Sequence, residues 1–409
     1  MLILEYILNI IAREKYMVLS RNDKWIEDID LLALELPNRH KNLFFNKSKE
    51  EFFKEIKELK RKIRNLDEYE IRVNLAKIVA AIRDAHTGII LPVNFLCPIE
   101  LYWFKDGIYI ISTIERYKHI ENCKILKVNG MDIKEVIKVL STIVSYENEA
   151  LCKAQLPKYF PAIEFLYGLE ILDTIESLEL TIEDRKKKIK NIEIESLPIR
   201  EVRKKLKESQ KSMLKDNIVP LYRKNFDKYY WYEYMKEFKV LYFKYNACKE
   251  MEDKSVFDFG KELIKFINKN QVDKLVIDLR NNSGGNSTLL EPFIEDLKAC
   301  DKINKKGNLF VIVGRETFSS ALLNVLLLKE DTNAIFLGEA TGGKPNCYGE
   351  VERFTLKNSG LTVCYSTKYY KIIKDDSLPS FYPEVSLALT IENYIKNEDP
   401  FLDYVLKFK

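Results

Sequence analysis

Histidine is scarce in this chain: His40, His86 and His119 are the only three in 409 residues. Net charge is scarce too, with 66 basic against 62 acidic residues and a formal balance of +4. A near-neutral chain of this size argues against a nucleic-acid ligand and against an anionic membrane surface. The basic run Arg185-Lys-Lys-Lys-Ile-Lys190 then reads as a solvated turn or helix face. No stretch approaches the ~20 apolar residues that span a bilayer. The amino-terminal run Met1–Ala12 has no basic region before it, is interrupted by Glu5 and lacks a small-x-small cleavage site. It reads as a first helix packed on the domain, with a cytoplasmic location as the expectation. The seven cysteines are scattered and form no Cys-x-x-Cys pair, which suggests neither a zinc site nor a disulfide framework. Neither Gly-x-x-x-x-Gly-Lys-Ser/Thr nor Gly-x-Gly-x-x-Gly occurs, so the glycines cradle no nucleotide phosphate. Internal repeats and low-complexity tracts are absent as well.

The chain is long enough for two or three domains. Residues 1–88 read as a helical domain, with apolar residues at helical spacing through Phe52, Ile56, Leu59, Ile63 and Leu66. A second such run passes through Ile71, Leu75, Ile78, Val79 and Ile82 and ends at Asp84-Ala-His-Thr-Gly88. Residues 89–183 turn to short strands, an Asn129-Gly130 turn and one helix, a small β-rich module. Residues 184–236 are charged and aromatic, including Tyr229-Tyr-Trp-Tyr-Glu-Tyr234, and read as a connector whose rings pack between domains. From 237 to 409 strands and helices alternate, which describes an α/β domain with right-handed crossovers inside a multi-domain α+β chain. A hairpin through Asn358-Ser-Gly360 and a last helix from about Pro400 close the chain.

Chemistry concentrates between Asp278 and Glu350. Ser319 follows the strand 308–313 and opens the next helix, where a serine either caps the helix or acts as a nucleophile aided by the helix amino terminus. Thr317 and Ser320 compete for the cap. Lys344 follows the strand 334–338; if the two strands are parallel neighbours, both residues leave the carboxyl edge of the sheet, where catalytic groups collect. As a general base Lys344 has to be neutral, its pKa brought from ~10.4 toward ~7–8 by apolar surroundings. Gly284 and Gly285 follow the strand 274–279 at the same edge. Their backbone N–H groups, with that of Ser320, are candidates for an oxyanion hole.

Together, Asp278-Leu-Arg-Asn-Asn-Ser-Gly-Gly285, Thr317-Phe-Ser-Ser-Ala321, Gly338-Glu-Ala-Thr-Gly-Gly-Lys344 and Tyr382-Pro-Glu-Val385 resemble the S41 family of serine peptidases, the tail-specific or carboxy-terminal processing proteases. The resemblance is clearest over about 237–395. The family's serine and lysine lie 25 positions apart, as do Ser319 and Lys344, and that register selects Ser319 over Ser320. It implies a ClpP/crotonase-like catalytic domain, a Ser319–Lys344 dyad, an acyl-enzyme, no metal or organic cofactor, and a peptide or unfolded protein as substrate. Asp84-Ala-His-Thr87 looks like the family's Asp-x-His-Thr, and in the tricorn-like branch a histidine from that region is the base, so His86 is the alternative base. Lys124–Ile133 resembles the late strand and turn of a PDZ domain, without a recognisable carboxylate-binding loop. Where processing proteases often place a glutamine four residues after the lysine, Tyr348 stands. The rival readings are a non-catalytic peptide or apolar-ligand binding protein on the same scaffold and a crotonase-like acyl-CoA enzyme.

Overall fold

The computed structural model describes residues 19–214 and 219–409; the expected first helix lies outside them. Three helices, Arg21–Arg39, Lys49–Lys62 and Glu68–Ala80, form the amino-terminal part. Ser48 with Glu51, and Asp67 with Glu70, close capping boxes at the starts of the second and third, which fixes where each helix begins. Phe52, Ile56, Leu59 and Ile63 are buried as their spacing predicts. Their core is completed from far away: Leu356, Leu361, Val363 and Tyr365, on the hairpin Cys347–Thr355/Thr362–Tyr370, belong to the same apolar cluster. The short strand Gly88–Ile90 pairs antiparallel with Thr362–Tyr370, Gly88 opposite Cys364. The hairpin that sequence assigns to the carboxy-terminal domain thus docks on the helical one.

The β-rich module is an antiparallel sheet of Ile99–Phe104, Gly107–Thr113, Lys124–Val128, Ser177–Glu183 and Ile189–Glu195. The last strand falls within the segment read as a connector, and pairs with Ser177–Glu183 over its whole length. Charge hides it in the sequence: Lys190, Glu193 and Glu195 point to solvent while Ile194 is buried. Residues 185–188 of the basic run form the solvated turn between these strands, where Asp184 accepts hydrogen bonds from the Lys186 and Lys188 amides, and Ile189 and Lys190 open the last strand.

The carboxy-terminal domain holds a six-stranded sheet in the order Tyr230–Met235, Val240–Tyr245, Lys274–Asp278, Leu309–Val313, Ile335–Gly338, Val385–Ser386. The first pair is antiparallel and the others are parallel. The tyrosine-rich segment is its edge strand. Tyr230, Tyr232 and Tyr234 pack on Phe259 and Phe266 of the helix Val256–Lys269. Trp231, on the opposite face, joins a cluster with Phe104 and Tyr109 of the β-rich module. Alternation along one strand therefore serves both an intra-domain core and an inter-domain seam.

Beneath the carboxyl edge lies a buried charge cluster. Arg280 makes a two-pronged contact with Asp399 at 2.9 and 2.8 Å and a second ion pair with Asp278 at 2.9 Å. Lys244 Nζ lies 3.1 Å from Asp278, both side chains fully buried. Burial lowers the Lys244 pKa to about 8 against the pull of Asp278. Two carboxylates and two cations balance, and the Arg280 guanidinium sits over the rings of Tyr222 and Phe401. Removing one member strands a buried charge, which typically costs ~3–5 kcal/mol. Arg280→Met is therefore expected to lower the unfolding free energy by about that much in urea titrations; a loss under ~1 kcal/mol, the range of exposed pairs, would show that the cluster carries little of the stability.

Candidate active site

Three loops leave the carboxyl edge and are knotted at Thr317. Its hydroxyl accepts from the Gly314 amide at 3.0 Å and donates to the Leu279 carbonyl at 2.8 Å. Its own carbonyl accepts from the Gly343 amide at 3.1 Å. Thr317 is therefore committed to holding the loops, and Ser320 Oγ is committed to the Gly285 carbonyl at 2.7 Å. Ser319 is left over. It stands at the cap position of the helix Ser320–Asp331, yet its side chain makes no capping bond. Its backbone is at φ 52°, ψ −128°, a region costly for a residue with a Cβ and found where surroundings over-determine the chain.

That conformation presents Ser319 Oγ to His86 Nε2 at 3.0 Å. The imidazole stacks on Phe318, with centroids 4.5 Å apart and planes 24° from parallel. Burial lowers the His86 pKa, opposed by the Asp84 charge and by the Tyr348 carbonyl. The ring is thus neutral at neutral pH and able to accept a proton. Nδ1 is buried without a hydrogen bond of normal geometry.

The sequence-predicted donors divide. A Cβ on Gly284 (φ +106°) would lie 2.9 Å from Ser319 Cβ, so this loop passes against the serine only because it lacks a side chain. The Gly284 amide, however, is already committed, donating to Asn282 Oδ1 at 2.9 Å. The Gly285 and Ser320 amides make no hydrogen bond among the described residues. Gly284 thus provides room and Gly285 with Ser320 provides free donors.

Lys344 is half-buried, and none of the hydrogen bonds among the described residues joins it to Ser319. Its charge instead faces Glu147 and Cys347. Glu147, Ser366 and the role of His40 escape sequence reasoning, because each comes from a separate element and none belongs to a motif. Glu147 has a buried, unpartnered Oε2. Burial pushes its pKa up to about 8, with the nearby Asp84 charge adding to the rise and Lys344 and the Ala85 amide opposing it. Among the described residues no cluster of His, Cys, Asp or Glu suits a metal ion, no helix is long and apolar enough to cross a membrane, and the cysteines are unpaired.

No protein-family model and no curated protein matches the chain. Solved structures do. Mature CPAF complexed with lactacystin matches with a TM-score of 0.64 at 12% identity, over 94% of this chain and 97% of that one. A second structure of mature CPAF matches with a TM-score of 0.62 at 12% identity, over 94% and 96%. A looser likeness, TM-score 0.40 at 13% identity over 90% and 94%, joins the chain to the photosystem II D1 C-terminal processing protease. The fold is the multi-domain α/β architecture of mature CPAF, and at these identities the likeness is one of fold.

Glu147 gives the site a signature in stability. An acid whose folded pKa of about 8 exceeds its ordinary 4.5 binds its proton more tightly when folded, so stability falls as pH rises between those values and levels off above them. Glu147→Gln removes this titration. Its melting temperature relative to the parent chain is expected to rise from pH 5 to pH 8 and then hold constant; a difference independent of pH would contradict the raised pKa.

Proposed function

We propose that the protein is a serine peptidase in which Ser319 is the nucleophile and His86 the general base. The observation that carries this reading is the 3.0 Å contact between Ser319 Oγ and His86 Nε2, made by the one hydroxyl of its loop with no structural bond to fill. His86 takes the hydroxyl proton as Oγ attacks the scissile carbonyl. The Gly285 and Ser320 amides donate to the oxyanion, a type of contact worth ~3–4 kcal/mol per donor. The imidazolium then protonates the leaving amine, and His86 activates the water that releases the acyl-enzyme. The substrate is a peptide or an unfolded protein segment, and the chemistry requires no cofactor.

This reading moves the base from Lys344 to His86, because the histidine touches the nucleophile and the lysine does not. Ser319→Ala is expected to abolish cleavage of an unstructured peptide and labelling by a fluorophosphonate probe, with the fold intact by circular dichroism. His86→Gln is expected to lower kcat/KM by ~10²–10⁴-fold, while Lys344→Met retains most of the activity. A collapse on Lys344→Met with His86→Gln still active would return the base to the lysine. A Ser319 inert to the probe would favour the non-catalytic binding protein. Since the His86 pKa is lowered from 6.5, and the base is lost on protonation, the acid limb of kcat/KM is expected below pH 6.5.

A further inference from the structure

We propose that Asp84 is the positioning residue of His86, acting through the backbone amide and its uncompensated charge instead of through the imidazole Nδ1. The inference rests on His86 being the base. The Asp84 carboxylate is 1% exposed and saturated with donors. Oδ1 accepts from the His86 amide at 2.9 Å. Oδ2 accepts from Thr87 Oγ1 at 2.5 Å, from Ser366 Oγ at 2.6 Å and from His40 Nε2 at 2.9 Å. These donors come from three separate parts of the chain. Two further bonds close the clamp, Ser366 amide to Thr87 Oγ1 at 3.2 Å and Lys41 amide to Ser366 carbonyl at 2.9 Å.

The His40 tautomer settles the charge. Its Nδ1 accepts from the Asn42 amide at 3.0 Å, so the ring proton is on Nε2 and the ring is neutral. His40 therefore orients Asp84 without cancelling it. Burial pushes the Asp84 pKa up, but the bonds from His40, Ser366, Thr87 and the His86 amide outweigh it and leave the carboxyl below its ordinary value. The other titratable groups nearby do not neutralise it. Glu147 is protonated at neutral pH, the Cys347 thiol is pushed up by burial to about 12, and the Lys344 charge faces those two. The negative charge is left to act on His86, where it favours the imidazolium. In a serine triad the acid bonds Nδ1; here Nδ1 has no acid and the carboxylate grips the backbone of the same residue.

The test is nitrogen-15 NMR titration of the histidines, assigned with His119→Gln, beside the pH profile of kcat/KM. In Asp84→Asn, which keeps an acceptor for the amide and loses the charge, the His86 midpoint is expected to fall by ~1 unit or more, with the acid limb moving equally. A folded Asp84→Asn protein with reduced kcat and an unmoved His86 midpoint would give Asp84 a purely structural role and overturn the proposal. Should that variant not fold, the parent protein decides: His40 is expected as the neutral Nε2–H tautomer at pH 7, and a charged His40 would overturn the proposal by neutralising Asp84. If Ser319 proves inert to the fluorophosphonate, the peptidase reading fails while the His86 midpoint still reports the Asp84–His86 coupling.

Discussion

The bonds at Thr317 are the constraint from which the site follows. Parallel strands bring Leu279, Gly314 and the 341–344 loop to one edge, but parallel pairing alone leaves the loops free to splay. One hydroxyl and one carbonyl of Thr317 tie all three. With the loops fixed, Ser319 is forced into its φ > 0 conformation and Gly284 is pressed against it. The amides of Gly285 and Ser320, on either side of that contact in the two loops, are left without a bond among the described residues. The Asp278–Arg280–Asp399–Lys244 cluster underneath gives that edge a rigid floor, since none of the four charges can leave without stranding another.

Much of this was legible in the residues. The strand and helix alternation after 237, the hairpin at 358–360 and the amphipathic faces of the first helices follow local periodicity, and the structure places elements there. A spacing singles out Ser319 in the sequence; in the structure its neighbours Thr317 and Ser320 have their hydroxyls occupied. The proximity of His86 to Ser319 was only half legible. The two are 233 positions apart, and what joins them is the docking of hairpin 347–370 on the amino-terminal helices, which leaves no local pattern. His40 and Ser366 were invisible for the same reason: their role is to satisfy a carboxylate on a third segment. The strand at 189–195 was masked by its charge, because an outer strand needs few apolar residues.

Two neighbouring carboxyl groups, Asp84 and Glu147, end in opposite states. Asp84 is ionised because it collects four donors; Glu147 is protonated because burial leaves an oxygen without one. The chain thus controls charge by allocating hydrogen bonds, the main means by which a buried acid keeps or gives up its proton. Neither state is readable from residue type, which is the same kind of carboxyl in both.

The hairpin shared between the ends of the chain also has a consequence for biosynthesis. The helical core is completed by Leu356, Leu361, Val363 and Tyr365, and the Asp84 clamp by Ser366. A chain made from its amino terminus has long had His86 outside the ribosome before those residues appear. Until they do, Asp84 lacks one of its four donors and the helical core lacks its outer face. The order of synthesis itself keeps the unfinished chain from completing the clamp around His86.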